Sequence, residues 1–284
     1  MFVQDNSVGS VVSYLEAGLS ALYPPEEVNS MVAILFAHFN KWNRMELRAR
    51  QDHQLSESEL LNYHQALKQL KQSKPLQYVL GETEFFELPF KLNNHVLIPR
   101  QETEELVDLI IKEGKEKESL IDIGCGSGCI SISYKKSKPK SKVFVVDVVP
   151  EALQLTMDNA KLNEVELNSK EMDILNWYDL DIQFDVVVSN PPYVTIGEKA
   201  TMNKNVLNFE PHVALFVQDS NPVVFYDAIA DFALKHLKDN GRIYFEINER
   251  FGREVASCLE VRNFKDIRII KDINGKDRIV TGHL

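Results

Sequence analysis

Asn190-Pro191-Pro192-Tyr193 gathers into four residues the groups needed to hold a planar NH2 group. The preceding run, Phe184 to Ser189, is apolar and reads as a buried strand. The four residues therefore stand where a parallel sheet delivers its strand ends, which is where open α/β sheets bind ligands. Asn190 and Pro191 each precede a proline and are pushed toward extended backbone. Neither Pro191 nor Pro192 has a backbone N–H to donate. The resulting edge is stiff and rich in acceptors: the Asn190 side-chain oxygen, nearby carbonyls, and the Tyr193 ring as a flat wall. A planar NH2 group can give both hydrogens to such an edge and pack its face on the ring. A strand end followed by a proline-stiffened turn is the plain alternative for so short a motif. The rest of the chain must therefore supply something for an NH2 group to react with.

A second constellation supplies it. Ile121-Asp122-Ile123-Gly124-Cys125-Gly126-Ser127-Gly128-Cys129-Ile130 reads as strand, glycine loop and helix. Glycines at such a turn let a ligand approach the backbone closely. The spacing is not the dinucleotide fingerprint, and no Lys-Ser/Thr pair follows to make a P-loop. Asp147 closes the next strand, 19 residues after Gly128, where an acid can accept from both ribose hydroxyls. Asp173 follows the expected third strand, where a polar group can meet an adenine edge. Taken singly, Asp147 is also a helix-start charge before Pro150 and Asp173 an ordinary turn residue. Together, in this order, they imply a ligand with ribose and adenine but no pyrophosphate. S-adenosylmethionine fits, with its methyl near the strand end that Asn190 begins. Cys125 and Cys129 read as small loop residues. They have no neighbouring histidine or further cysteine, so no metal site is expected.

The elements that must position these residues alternate after about residue 100. Strands are expected at 120–123, 143–147, weakly before Asp173, at 184–189, 242–247, 267–270 and 277–280, with helices between them. This predicts an α/β domain with a doubly wound parallel sheet. Asn274-Gly275 between the last two strands signals an antiparallel pair. Residues 1 to 75 read as a small helical bundle. Pro25-Glu26-Glu27 begins one helix, and Ser56 with Glu59 has capping-box spacing, flanked by a Leu55–Leu60 staple. His64 lies in an apolar stripe and reads as a packed or rim histidine. Ser73-Lys74-Pro75 breaks the bundle. Residues 76–100 read as a β-hairpin linker with a turn at Asn93-Asn94, and 101–284 as the ligand-binding domain.

Composition narrows the classes. The chain has 284 residues with a formal charge of −10, which argues against a protein that coats nucleic acid. Three cysteines are too few for a disulfide framework. Met1 to Asn6 has no basic region leading into an apolar core, and no apolar run is long enough to span a bilayer. A cytoplasmic protein is expected, and a monomer, since no sustained heptad appears. The lysines around Pro139 (Lys135, Lys136, Lys138, Lys140 and Lys142) read as a solvated turn, with an anionic contact second.

The glycine loop, Asp147 and the Asn-Pro-Pro-Tyr motif resemble class I methyltransferases acting on planar nitrogen. A narrower resemblance comes from Gly81-Glu82-Thr83-Glu84-Phe85, from Val96 to Glu104, from Glu210-Pro211 with Ala214-Leu215, and from Asp277-Arg278 with Gly282. In these the chain is similar to the release-factor N5-glutamine methyltransferases, over roughly residues 75 to 284. The resemblance implies a seven-stranded, Rossmann-like sheet. It also implies methyl transfer from S-adenosylmethionine to the glutamine amide of the Gly-Gly-Gln loop of class I release factors. Carried over, Gly124, Cys125, Gly126, Ser127, Gly128, Asp147, Asp173, Ile174 and Asn190 would hold the cofactor, and Asn190, Pro191, Pro192 and Tyr193 the glutamine amide. One N–H would go to the Asn190 side chain and the other to the Pro191 carbonyl, with Tyr193 on the amide plane. The family often has an aromatic residue where this chain has Ile174, with Trp177 close by. It often has tyrosine where this chain has Phe209, and Ile247 to Arg250 departs from its usual pattern. A nucleic-acid amino methyltransferase could use the same motif but would need a basic face and a pocket for a flipped base. A non-catalytic cofactor-binding scaffold would not need the intact motif.

Overall fold

The computed structural model describes residues 5–284, so Met1 to Gln4, on which the reading of the N-terminus partly rests, lie outside the described residues. The chain forms two compact units. One takes the residues up to Gly81 together with Lys204–Phe209; the other takes Glu82–Asn203 and Glu210–Leu284.

The first unit is helical: α1 (Val8–Leu19), α2 (Pro25–Asn40), α3 (Arg44–Ala49), α4 (Glu57–Leu70) and α5 (Leu76–Leu80). Proline at the first position and two acids in the first turn start α2. The expected capping box starts α4: the Glu59 amide donates to Ser56 Oγ (3.3 Å), and the Ser56 amide to a Glu59 carboxylate oxygen (2.8 Å). Asn43 and Glu46 build a second box before α3. Leu55 and Leu60 are buried in the bundle core with Leu15, Phe36 and Tyr63. His64 is bonded to the Tyr14 hydroxyl through Nδ1 at 2.7 Å.

The second unit opens with the hairpin β1 (Glu82–Phe85) and β2 (Leu88–Lys91). The hairpin turns at Phe86-Glu87; the turn read at Asn93-Asn94 is also formed, with the Val96 amide donating to the Asn93 carbonyl at 3.4 Å, but it lies beyond β2. Phe86 and Glu87 both have positive φ, 50° and 60°, the geometry of a two-residue hairpin turn whose twist matches its strands. The Phe86 amide donates to Glu104 at 2.7 Å, which holds the turn in place. Phe85 and Phe90 sit in the core of this unit, while Leu76, Val79 and Leu80 pack on the bundle core. The segment expected as one linker is thus shared between the two units, because its apolar side chains face two different cores.

There follow α6 (Gln101–Glu113), β3 (Ser119–Ile123), α7 (Cys129–Ser137), β4 (Lys142–Asp147), α8 (Pro150–Leu162), β5 (Asn168–Glu171), β6 (Phe184–Ser189) and β7 (Val194–Thr195). Then come α9 (Lys204–Phe209), which counts with the first unit, β8 (Phe216–Val217), α10 (Val224–His236), β9 (Leu237–Glu246), α11 (Gly252–Glu260), β10 (Lys265–Lys271) and β11 (Asp277–His283). Seven strands form one sheet in the order β10-β11-β9-β6-β3-β4-β5. It is parallel from β9 to β5, and β11 joins antiparallel to both β9 and β10. Alternate residues bury on opposite faces: Ile121 and Val187 toward α10 and α11, Leu120 and Val186 toward α6, α7 and α8. This is the seven-stranded, doubly wound α/β class with an antiparallel C-terminal strand pair. Among the described residues no helix is long and apolar enough to cross a membrane.

Candidate active site

The strand order reverses between β3 and β6. Asp122 of β3 pairs in parallel register with Val188 of β6. Two residues further on, Gly124 and Asn190 leave adjacent strands side by side. The topology thus delivers the glycine loop and the Asn-Pro-Pro-Tyr motif to one crevice. A cavity of about 1030 Å³, open space at its mouth included, lies there. Its walls include Gly124, Cys125, Gly126, Ser127, Asp147, Asp173, Ile174, Asn190, Pro191 and Pro192. Gly128 and Tyr193 are not among them.

The glycine loop is shaped for a ligand. Gly124, Gly126 and Gly128 all have positive φ, at 74°, 56° and 80°. A Cβ on Gly124 or Gly126 would meet nothing within 4 Å, so both leave open space on the cavity side. A Cβ on Gly128 would stand 2.8 Å from Thr156 Cγ2. Gly128 therefore serves packing against α8, and its amide closes the loop onto the Cys125 carbonyl at 2.8 Å. Asp147 holds the loop from β4: one carboxylate oxygen accepts from the Gly126 amide (2.9 Å), the other from the Val149 amide (3.0 Å). Burial raises its pKa, opposed by these amides. Each carboxylate oxygen retains a second lone pair for a hydroxyl ligand.

Asp173 takes the turn role that the sequence offered as its plain alternative. It caps a short 3-10 turn, accepting from the Leu175 amide at 2.9 Å and from Asn176 Nδ2 at 2.7 Å. Ile174 faces the cavity, but Trp177 does not take the place of an aromatic there. Trp177 is not among the residues lining the cavity, and its ring packs edge-on against Phe232 and His236. Cys125 and Cys129 are buried, and burial pushes the Cys129 thiol up to about 12. Cys125 Sγ lies 3.4 Å from Thr156 Oγ1. Among the described residues no three His, Cys, Asp or Glu side chains gather as metal ligands.

Asn190 Nδ2 approaches Thr103 Oγ1 at 3.4 Å. No described residue donates to Asn190 Oδ1 or to the Pro191 carbonyl, so both acceptors remain available. Tyr193 was expected as a wall of the site. Its half-buried ring packs against the core, and its hydroxyl donates to Glu246 at 3.1 Å. Three side chains to which the sequence assigned no role complete the crevice. Thr103 comes from the first turn of α6 and Glu246 from the end of β9; both are buried. Arg100, on the cavity wall, pairs with buried Glu210 at 2.5 Å, and Glu210 also accepts from the Ile98 amide at 3.3 Å. The Glu210-Pro211 and Ile98-Pro99-Arg100 segments, quoted for their resemblance, are thereby fastened together. That pairing was not legible, because 110 residues separate the partners.

Comparison with known proteins gives concordant results. The family model described as methyltransferase small domain matches residues 101–209, and that described as PrmC N-terminal domain matches residues 11–81. A release factor glutamine methyltransferase of Flavobacterium psychrophilum is 46% identical over 267 residues, which is 92% of this chain and 94% of the relative. The protein of the same name from Bacteroides thetaiotaomicron is 38% identical over 96% of this chain and 99% of its own length. Among solved structures, a methyltransferase from Pyrococcus furiosus superposes with a TM-score of 0.53 at 15% identity, over 70% of this chain and 90% of that one. This last likeness concerns the fold.

Proposed function

The chain belongs to the release factor glutamine methyltransferase family, and from that premise we propose how its crevice carries out the reaction. The protein is a methyltransferase whose substrate is a glutamine of a peptide chain release factor. The finer reading assigns the side-chain amide of the Gly-Gly-Gln loop glutamine as acceptor and S-adenosylmethionine as donor. The observation that carries it is the pair of uncommitted acceptors, Asn190 Oδ1 and the Pro191 carbonyl, on the same crevice as the glycine loop and Asp147.

The residues present fit the cofactor. Gly124 and Gly126 leave room where any side chain would intrude, and Asp147 presents spare lone pairs to ribose hydroxyls. Val148, half-exposed beside it, and Ile174 offer apolar cover for an adenine. Bound there, S-adenosylmethionine supplies an electrophilic methyl carbon on a positively charged sulfur. The amide nitrogen of glutamine is a weak nucleophile, because its lone pair is delocalised into the carbonyl. Asn190 and the Pro191 carbonyl each accept one of its N–H bonds, which raises electron density on nitrogen and fixes its direction. Pro191 and Pro192 keep the acceptors rigid, so little reorganisation accompanies reaction. The proton leaves after transfer, when the nitrogen has become acidic, and no base need act first. Tyr193 holds the loop through Glu246. The helical unit, matched by the PrmC N-terminal domain, is assigned to gripping the release factor.

The test offers labelled cofactor to wild-type release factor, to release factor with the loop glutamine changed, and to nucleic acid. Label is expected in the first alone; label in nucleic acid but not in release factor overturns the reading. Asn190→Ala is expected to keep its cofactor Kd within about threefold while turnover falls by about 100-fold or more, the scale of losing one preorganised polar group.

A further inference from the structure

Three pieces of the crevice meet on the Glu246 carboxylate. The residue closes β9, directly after Phe245, which pairs with Ser189 at the end of β6. It is 1% exposed, and each of its oxygens is taken by a hydroxyl. Oε2 accepts from Thr103 Oγ1 at 2.6 Å, and Oε1 from the Tyr193 hydroxyl at 3.1 Å. Its backbone carbonyl accepts from the Tyr226 hydroxyl at 3.0 Å, which fixes the strand end itself. The nearby Arg278 guanidinium is committed to Asp272 and the Ile247 carbonyl.

The donor order along this chain of contacts is set by chemistry. Burial raises the Glu246 pKa, opposed by the Thr103 and Tyr193 hydroxyls. With one hydroxyl on each oxygen the geometry is that of the ionised form, which only accepts. A threonine hydroxyl has a single proton. Once Thr103 gives that proton to Glu246, its oxygen can only accept. The group that faces it at 3.4 Å must then be the NH2 of Asn190, which leaves Oδ1 turned to the cavity. An asparagine side chain is nearly symmetric in shape, so nothing but its hydrogen-bond partners decides which end faces which way.

We propose that Glu246 is a positioning residue for methyl transfer: through Thr103 it fixes which end of the Asn190 amide faces the substrate, and through Tyr193 it anchors the far end of the same loop. The polarity runs carboxylate, threonine, asparagine, substrate amide, each group accepting from the next. Reversing it would present an NH2 group to the substrate NH2, so that two donors oppose each other. The inference rests on Asn190 acting as acceptor for the substrate amide.

Glu246→Gln keeps the shape but adds a donor, which allows Thr103 to turn its proton toward Asn190. Turnover of release factor is expected to fall about 100-fold, on the scale of misdirecting a preorganised group, with cofactor Kd within about threefold. The same variant should bind more tightly than wild type a release factor whose loop glutamine is changed to glutamate, because a flipped Asn190 donates. A purely structural role for Glu246 would not produce that gain. Thr103→Val and Thr103→Ser separate the relay from packing: valine should lower kcat at least about tenfold with KM for cofactor unchanged, and serine should restore it to within about threefold of wild type. Because both are near-isosteric, they decide the matter even if Glu246→Gln does not fold. Wild-type turnover in Thr103→Val, or serine no better than valine, overturns the proposal. If Asn190→Ala itself retains turnover, the acceptor reading has failed instead; if it is inactive while Thr103→Val is active, only the relay has failed.

Discussion

Asp122 carries a carboxylate with no exposure and no hydrogen-bond donor among the described residues, directly under the glycine loop. Burial lifts its pKa from 3.8 to about 7, and Asp147 nearby adds to the effect. Ser131 lies close enough to oppose the shift, but its hydroxyl donates to the Gly128 carbonyl at 3.1 Å. An acid whose pKa is raised on folding holds its proton better in the folded chain. Its contribution to stability is intact below pH 3.8, declines as pH rises, and is fully lost above about 7. Asp122→Asn removes this dependence. The stability of the variant relative to wild type is expected to improve between pH 4 and pH 7 and to stay level beyond, with a total change of up to roughly 4 kcal/mol. Urea midpoints at pH 4.5, 6 and 8 check it; a difference that does not vary with pH would show that Asp122 stays ionised.

Between β3 and α7 the glycine loop divides its work between conformation, packing and ligand space. Gly124 and Gly128 both need positive φ, but only Gly128 abuts another element. Gly128→Ala adds a clash with Thr156 to the backbone strain and is expected to cost about 2 kcal/mol or more. Gly124→Ala has only the strain, about 1 kcal/mol, but its methyl group enters the cavity. Melting curves should rank Gly128→Ala as the less stable variant, while calorimetry should find Gly124→Ala poor in cofactor binding for its stability. Equal loss of cofactor and stability in both would deny the loop this division. Elements were also where sequence reading succeeded unevenly. The strand at Phe184–Ser189 was legible from its apolar run, and the box at Ser56-Glu59 from its spacing. The turn at Phe86-Glu87 was not, because neither residue has a turn propensity to match its positive φ; the Glu104 contact from α6 imposes it.

Over the whole molecule, charge separates the two substrate classes that share the Asn-Pro-Pro-Tyr motif. The net charge is −10, and three of the five lysines around Pro139 donate to backbone carbonyls, while Lys140 and Lys142 are exposed. Lys135 donates to the Pro139 and Ser141 carbonyls, Lys136 to that of Asn163 and Lys138 to that of Gly114. These three cations tie the end of α7 to the turn before β4 and to the C-terminal ends of α6 and α8. Among the described residues this leaves only the Lys140 and Lys142 side chains of the cluster free of backbone partners. Nonspecific nucleic-acid binders hold duplex with Kd near 10⁻⁴–10⁻⁶ M. At 150 mM salt this protein is expected to bind duplex or tRNA more weakly than about 10⁻⁴ M. Mobility shift across a salt series checks it, and salt-sensitive micromolar binding would revive a nucleic-acid substrate.

The sequence by itself determined the sheet, the glycine loop and the Asn-Pro-Pro-Tyr edge, because each is written in neighbouring residues: an apolar run, a glycine spacing, two prolines after an amide. Tertiary structure decided how that edge is held. Thr103 lies 87 residues from Asn190 and 143 from Glu246, and only the placement of β9 beside β6, with α6 across their ends, brings the three together. Tyr193, read as a wall, also bonds through its hydroxyl to Glu246, for the same reason. A hydroxyl's role is set by the acceptor it finds, and that acceptor sits on another strand.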